Sequence, residues 1–140
     1  MKKTINNKRH FNISGLNKEQ MVIPAVLRTL IRWSQTSWDK KHTYEELAKA
    51  VGYKSPRMGR ILDIADKTLR RLEKATGKKI PVLGGLIYAK GTNLPSYGFG
   101  YVIPGYDTLS DEDKINAVKK YNRDACAYDW GWVMDELYLR

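Results

Sequence analysis

Cysteine is nearly absent from this chain: Cys126 is the only one in 140 residues. An internal disulfide is excluded, so no cross-linked scaffold holds the fold, and a reducing, cytosolic setting is the expectation. Histidine is almost as scarce. His10 and His42 stand far apart, Cys126 stands alone, and no spacing among them matches a zinc site. No apolar run approaches the length of a membrane span. The basic opening from Met1 to Arg9 has no apolar segment behind it, so neither a secretory signal nor a membrane partner is expected. A phosphate-cradling loop is missing too, because Gly84-Gly85 and Gly98/Gly100 are not followed by a helix opening with Lys-Ser/Thr. These absences leave no cofactor to expect.

Acidic side chains are also in short supply. Fifteen Asp and Glu face 25 Lys and Arg, a net charge of +10. The imbalance is uneven along the chain. Residues 1–92 carry 20 basic and 7 acidic side chains, or +13, whereas residues 93–140 carry 5 and 8, or −3. A basic portion beside a mildly acidic one points to a dedicated polyanion-binding face. What the chain does have is apolar material: 42% of its residues, with four Trp and nine Tyr. That suffices for one core, so residues 17–140 are expected to form a single domain behind a basic arm at 1–16.

Periodicity and caps place the elements. Asn17 can cap a turn holding Glu19 and Gln20, and Pro24 fits the first turn of a helix running to about Gln35. Val26, Leu27, Leu30, Ile31 and Trp33 give that helix a broad apolar face. Thr43-Tyr44-Glu45-Glu46 reads as a capping box, and Gly52 ends the short helix it opens. Ser55-Pro56 then reads as the N-cap and first position of a longer helix that Gly77 stops. Met58, Ile61, Leu62, Ala65, Leu69, Leu72 and Ala75 form its apolar stripe, while Arg57, Arg60, Lys67, Arg71 and Lys74 lie largely on another side. Gly59, near its start, suggests a close backbone approach. A capped short helix, a Gly-containing turn and a longer helix make a helix-turn-helix; an antiparallel helical hairpin shares the pattern.

Beyond Gly77 the period changes. Residues 79–90 contain an apolar β-type run, Gly91 to Pro95 a turn cluster, and Ser96 to Val102 an alternation of aromatic residues with Gly. This reads as a β-hairpin wing. Ser110 with Asp113 opens another helix, to about Ala127, and residues 133–139 suit a final short strand or helical turn. The expected class is α+β, mainly helical: a winged helix-turn-helix with a C-terminal helix.

The segment Thr43-Tyr44-Glu45-Glu46-Leu47-Ala48-Lys49-Ala50-Val51-Gly52 resembles the opening of the DNA-binding domain in O6-alkylguanine-DNA alkyltransferases and alkyltransferase-like proteins. Arg57-Met58-Gly59-Arg60-Ile61-Leu62 is similar to the next helix of that family. Ile80-Pro81-Val82 through Gly98-Phe99-Gly100 follows in similar order, so the resemblance covers about residues 42–101. It implies a winged-helix fold and DNA binding. It does not carry the repair chemistry. Where the family has its reactive Cys and the His-Arg after it, this chain has Val82, Leu83 and Gly84, so alkyl transfer there is excluded. The family's finger Arg falls at Pro56, with Arg57 one place on, and the long helix extends further before Ile80-Pro81.

The expected function is therefore non-catalytic nucleic-acid binding, with duplex DNA as the ligand. The candidate contacts are Tyr44, Lys54, Ser55, Arg57, Arg60, Lys67, Arg71, Lys78, Lys79, Lys90 and Tyr97. Arg57 and Arg60 sit where a recognition helix enters the major groove, and Arg pairs bidentately with guanine or holds phosphate. Lys54, Ser55 and the helix start suit phosphate, and Lys67, Arg71, Lys78, Lys79 and Lys90 extend the charge. Tyr88, Tyr97, Phe99 and Tyr101 either stack on bases or pack across strands, with Tyr97 nearest the tip. Two other classes remain open. One is a small basic inhibitor of the kind phages and mobile elements carry, engaging an acidic protein partner or occupying a nucleic-acid channel. The other is a metal-dependent nuclease built on Asp107, Glu112 and Lys114.

Overall fold

A broad apolar stripe and one proline shape the first helix. In a computed structural model, which describes residues 18–53, 58–89, 91, 92, 94, 95 and 103–140, helix α1 spans Lys18–Thr36. It starts earlier than the sequence suggests: Pro24 lies inside it, on the solvent side. Val26, Leu27, Leu30 and Ile31 are buried, and α1 forms the spine against which the later helices pack. The arm at 1–16 and Asn17 lie outside the described residues.

Helix α2 (Tyr44–Val51) forms as its caps require. The Thr43 hydroxyl accepts from the Glu46 amide at 3.1 Å, and the Thr43 amide donates to Glu46 Oε1 at 3.4 Å. Gly52, at φ 72°, takes the left-handed conformation that ends the helix. Leu47 is its buried anchor. Helix α3 is described from Met58 to Thr76, and the expected N-cap at Ser55 falls outside the described residues. Met58, Ile61, Leu62, Ala65 and Leu69 are buried along it, as the stripe predicts. Leu72 is only partly buried and Ala75 is exposed, so the stripe fades towards Gly77. What approaches Gly59 is the Tyr44 ring, not a backbone. A Cβ at Gly59 would stand 3.8 Å from the Tyr44 hydroxyl, in ordinary contact.

Among the described residues there is no β-strand, and the expected first strand over 79–90 is a correction. Ile80, Val82 and Leu83 are buried without pairing, and Gly84–Leu86 make one 3₁₀ turn. The apolar run is buried among helices, and burial, not strand pairing, accounts for its composition. Asn122 Nδ2 donates to the Gly85 carbonyl at 2.9 Å, taking an acceptor that a strand would have used. Two single bridges remain: Ile87 pairs in parallel with His42, and Tyr88 in antiparallel with Pro95. The expected second strand, Ser96 to Val102, lies outside the described residues.

Helix α4 (Asp111–Ala127) begins where Ser110 Oγ accepts from the Asp113 amide at 3.1 Å. Helix α5 (Gly131–Glu136) settles the expectation for the last segment in favour of helix. Trp130 is 1% exposed, and its Nε1 donates to the Ala125 carbonyl at 2.8 Å, so it belongs to the core. The chain then turns back on α5. The Tyr138 amide donates to Asp135 and the Leu139 amide to Met134, leaving Tyr138 at φ 55° and Leu139 buried. That is a Schellman ending with tyrosine where glycine is usual.

One side chain joins three of these pieces. His42 is buried, and its ring stacks on Trp33 with centroids 4.1 Å apart and planes 5° apart. Its Nδ1 lies 3.1 Å from Glu46 Oε2, and its Nε2 lies 3.1 Å from both Ser37 Oγ and the Ser37 carbonyl. Its amide donates to Leu86 and its carbonyl accepts from the Tyr88 amide. The end of α1, the start of α2 and the 86–88 segment thus meet at one residue. Replacing His42→Ala removes the stack, empties a buried site and breaks the ring's polar contacts with Ser37 and Glu46, an expected loss of about 3 kcal/mol in stability. Urea denaturation checks it; a midpoint shift too small to resolve would show that the three pieces hold without this ring.

Candidate nucleic-acid interface

The two sides of α3 have different chemistry. On a helix of 3.6 residues per turn, Arg60, Lys67, Arg71 and Lys74 fall within about 60° of arc, about 160° from the centre of the buried stripe. All four are exposed. Along the axis they span about 21 Å at 1.5 Å per residue. The flank beside this ridge carries Asp63, Asp66, Arg70 and Glu73.

The flank is an internal lock. Arg70 Nε lies 3.5 Å from Asp66, its Nη1 donates to Glu73 Oε1 at 3.2 Å, and its Nη2 donates to the Pro81 carbonyl at 3.2 Å. Glu73 Oε2 accepts from the Ile80 amide at 2.8 Å. The segment after Gly77 is thereby folded back on α3. Asp66 carries the cost. Burial pushes its carboxyl above the ordinary value of 3.8, the Arg70 guanidinium works against that rise, and Asp63 and Glu73 add to it. Arg70, a basic residue in sequence, has a structural role.

Lys67, Arg71 and Lys74 on the ridge are held less tightly. Lys67 Nζ pairs with Asp63 at 3.1 Å, with both side chains substantially exposed. Such a pair contributes little to stability, so its lysine can exchange partners. Arg71 and Lys74 form no ion pair among the described residues. Past Gly77, the Lys78 ammonium sits 4.6 Å from the centre of the Trp132 ring, and the Lys79 carbonyl accepts from the Tyr128 hydroxyl at 2.6 Å. Both lysines are exposed.

Of the expected contacts, Arg60, Lys67 and Arg71 lie on one face of α3, while Lys78 and Lys79 are exposed in the segment after Gly77. Tyr44 is half-buried at the start of α2, with its ring against Gly59. Lys54, Ser55, Arg57, Lys90 and Tyr97 lie outside the described residues, as do Phe99 and Tyr101. Tyr88 is partly buried against the cluster of Val82, Ile103, Tyr106 and Val118, and burial raises its hydroxyl above the usual tyrosine value. Asp107 sits in the turn Tyr106–Thr108 and Glu112 in the first turn of α4, where acid favours the helix dipole. Lys114 holds its ammonium 5.3 Å from the Tyr106 ring centre. The sequence reading passed over Arg28 and Arg32, exposed one turn apart on α1. Their four-residue spacing opposite the apolar face was the available signal.

The raised carboxyl of Asp66 fixes the sign of a pH effect. Between 3.8 and its folded value, the native protein holds a proton that the unfolded chain releases, so Asp66 costs stability as pH rises through that window. Asp66→Asn is expected to gain on the wild type as pH rises from below 4 to neutrality, and to lose that advantage in acid. Thermal melts of both proteins across that range read it. A difference that does not change with pH would mean that the carboxyl titrates normally.

Comparison of the chain with protein-family models, with curated proteins and with solved structures returns no match.

Proposed function

We propose that this protein is a non-enzymatic nucleic-acid-binding protein whose contact element is the solvent face of α3, with duplex DNA as the ligand. The observation that carries the reading is the separation of α3 into a buried apolar stripe and an opposed ridge of exposed Arg60, Lys67, Arg71 and Lys74. Cations set opposite the core on a well-anchored helix meet phosphates with no change in fold, and released counterions drive the association. Helices α2 and α3 follow one another as a helix-turn-helix does, and the α2 segment carries the resemblance to the alkyltransferase DNA-binding domain. The turn closed by the Tyr88–Pro95 bridge is where a wing would project.

Arg71→Glu combined with Lys74→Glu tests the ridge without touching the Arg70 lock. The double variant is expected to keep its melting behaviour and to lose about tenfold or more in affinity for a labelled duplex, as read by fluorescence anisotropy at low salt. Unchanged affinity would remove α3 from the interface.

One observation favours a second reading, a small interaction protein with a protein partner. Tyr138 is 90% exposed while its backbone holds φ 55°. Arg140 pairs with Asp135 and donates to the Gly131 carbonyl, and Leu139 is buried, so the ring is presented from a fixed backbone. A tyrosine there costs about 1 kcal/mol relative to glycine, and the exposed ring recovers little of it inside the molecule. Tyr138→Gly is expected to raise stability by about that amount in thermal denaturation. A fall instead would place the ring in a contact that secures the C-terminal turn and weaken the case for an outside partner.

A further inference from the structure

We infer that α3 meets its duplex broadside, bridging a groove from rim to rim through phosphates, and so binds without preference for base sequence. The inference rests on the proposed reading of α3 as the contact element.

The ridge is not evenly charged. Lys67, Arg71 and Lys74 form one block about 10 Å long, and Arg60 lies about 10 Å before it along the axis. The B-form major groove is about 12 Å wide. A helix lying across it therefore brings Arg60 to one rim and the Lys67 block to the other. Between them, the residues nearest the ridge line are Asp63 and Ile64. Ile64 is apolar and half-buried in the core cluster, and the Asp63 carboxylate is engaged by Lys67 at 3.1 Å. The middle of the contact face thus offers base edges no hydrogen-bond donor. The guanidinium nearest that gap on the flank, Arg70, is tied to Asp66, Glu73 and the Pro81 carbonyl. Direct readout needs donors over the base edges, and phosphate contacts alone carry no sequence information.

Asp63 gains a role in this geometry. It competes with phosphate for Lys67, and its own charge opposes the backbone. Removing it should strengthen binding to every duplex alike.

A randomised duplex library, sequenced before and after binding to the wild-type chain, tests the inference together with anisotropy titrations of wild type and Asp63→Ala over a salt series. Circular dichroism of the variant confirms its fold. The expected results are a base preference below about threefold at every library position, where a specific contact gives about fivefold or more. The slope of log affinity against log salt should lie near −3.6, the value for about four phosphates. Asp63→Ala should bind about threefold tighter at low salt. An enriched motif above about fivefold at any position overturns the inference and leaves the binding function standing, as does weaker binding by Asp63→Ala. Absence of binding to any duplex removes the parent reading and the inference with it.

Discussion

The flat stack of His42 on Trp33 is the contact on which the arrangement of helices depends. The imidazole is buried, and each ring nitrogen has a polar neighbour. Buried polar groups are tolerated only when paired, and a paired network tolerates few alternative packings. Glu46 extends the constraint, because one of its oxygens faces His42 and the other completes the capping box at Thr43. The direction in which α2 leaves α1 is therefore set by a single carboxylate and ring. Through Leu47 and the Tyr44 ring over Gly59, that direction passes to α3. Which side of α3 faces water follows from its own buried stripe, and the histidine, which touches no part of the ridge, bears on how α2 lies beside it.

Neighbouring residues on α3 then have opposite roles. Arg70 and Arg71 are the same residue type, yet a rotation of about 100° turns the first inward onto Asp66, Glu73 and Pro81 and the second outward. The chain's excess charge is thus divided between structure and surface. Arg70, with Glu73 and the Pro81 carbonyl as acceptors and the Asp66 carboxylate beside it, keeps the 78–81 segment against the helix. Lys67, Arg71 and Lys74 are left as long, loosely held side chains suited to a mobile polyanion. Lys78, resting on Trp132, links the two roles, since it is packed against the C-terminal region and still exposed.

Much of this was legible in the sequence wherever the interaction was local. The Thr43–Glu46 box, the Ser110 cap, the glycine stops and the buried run from Met58 to Leu69 all depend on residues within a turn or two of each other. The alternation of apolar and basic positions on α3 is likewise a property of one helix. What was not legible depends on contacts distant in sequence. His42 reads as an isolated histidine, although Ser37 and Glu46 are close in sequence, because its backbone pairing with Leu86 and Tyr88 joins it to a distant segment. The run Ile80–Ile87 reads as a strand because burial among helices and burial in a sheet demand the same side chains; what separates the two is side-chain bonds from distant residues, Glu73 to Ile80 and Asn122 to Gly85. Arg70 looks like one more surface cation until Pro81 folds back to meet it. The start of α1 was misplaced because proline is usual in a first turn and is here tolerated further in.

That proline divides α1 into unequal parts. Lacking an amide hydrogen, Pro24 leaves the Gln20 carbonyl without its helical donor, so the backbone ladder is interrupted between the first turn and the rest. The residues beyond it are pinned by Val26, Leu27, Leu30 and Ile31. Those before it, joined to the helix by fewer bonds, are held to the core by Ile23, with Val22 packed beside it. The N-terminal end of the spine is thus secured by the burial of one isoleucine more than by an unbroken backbone ladder.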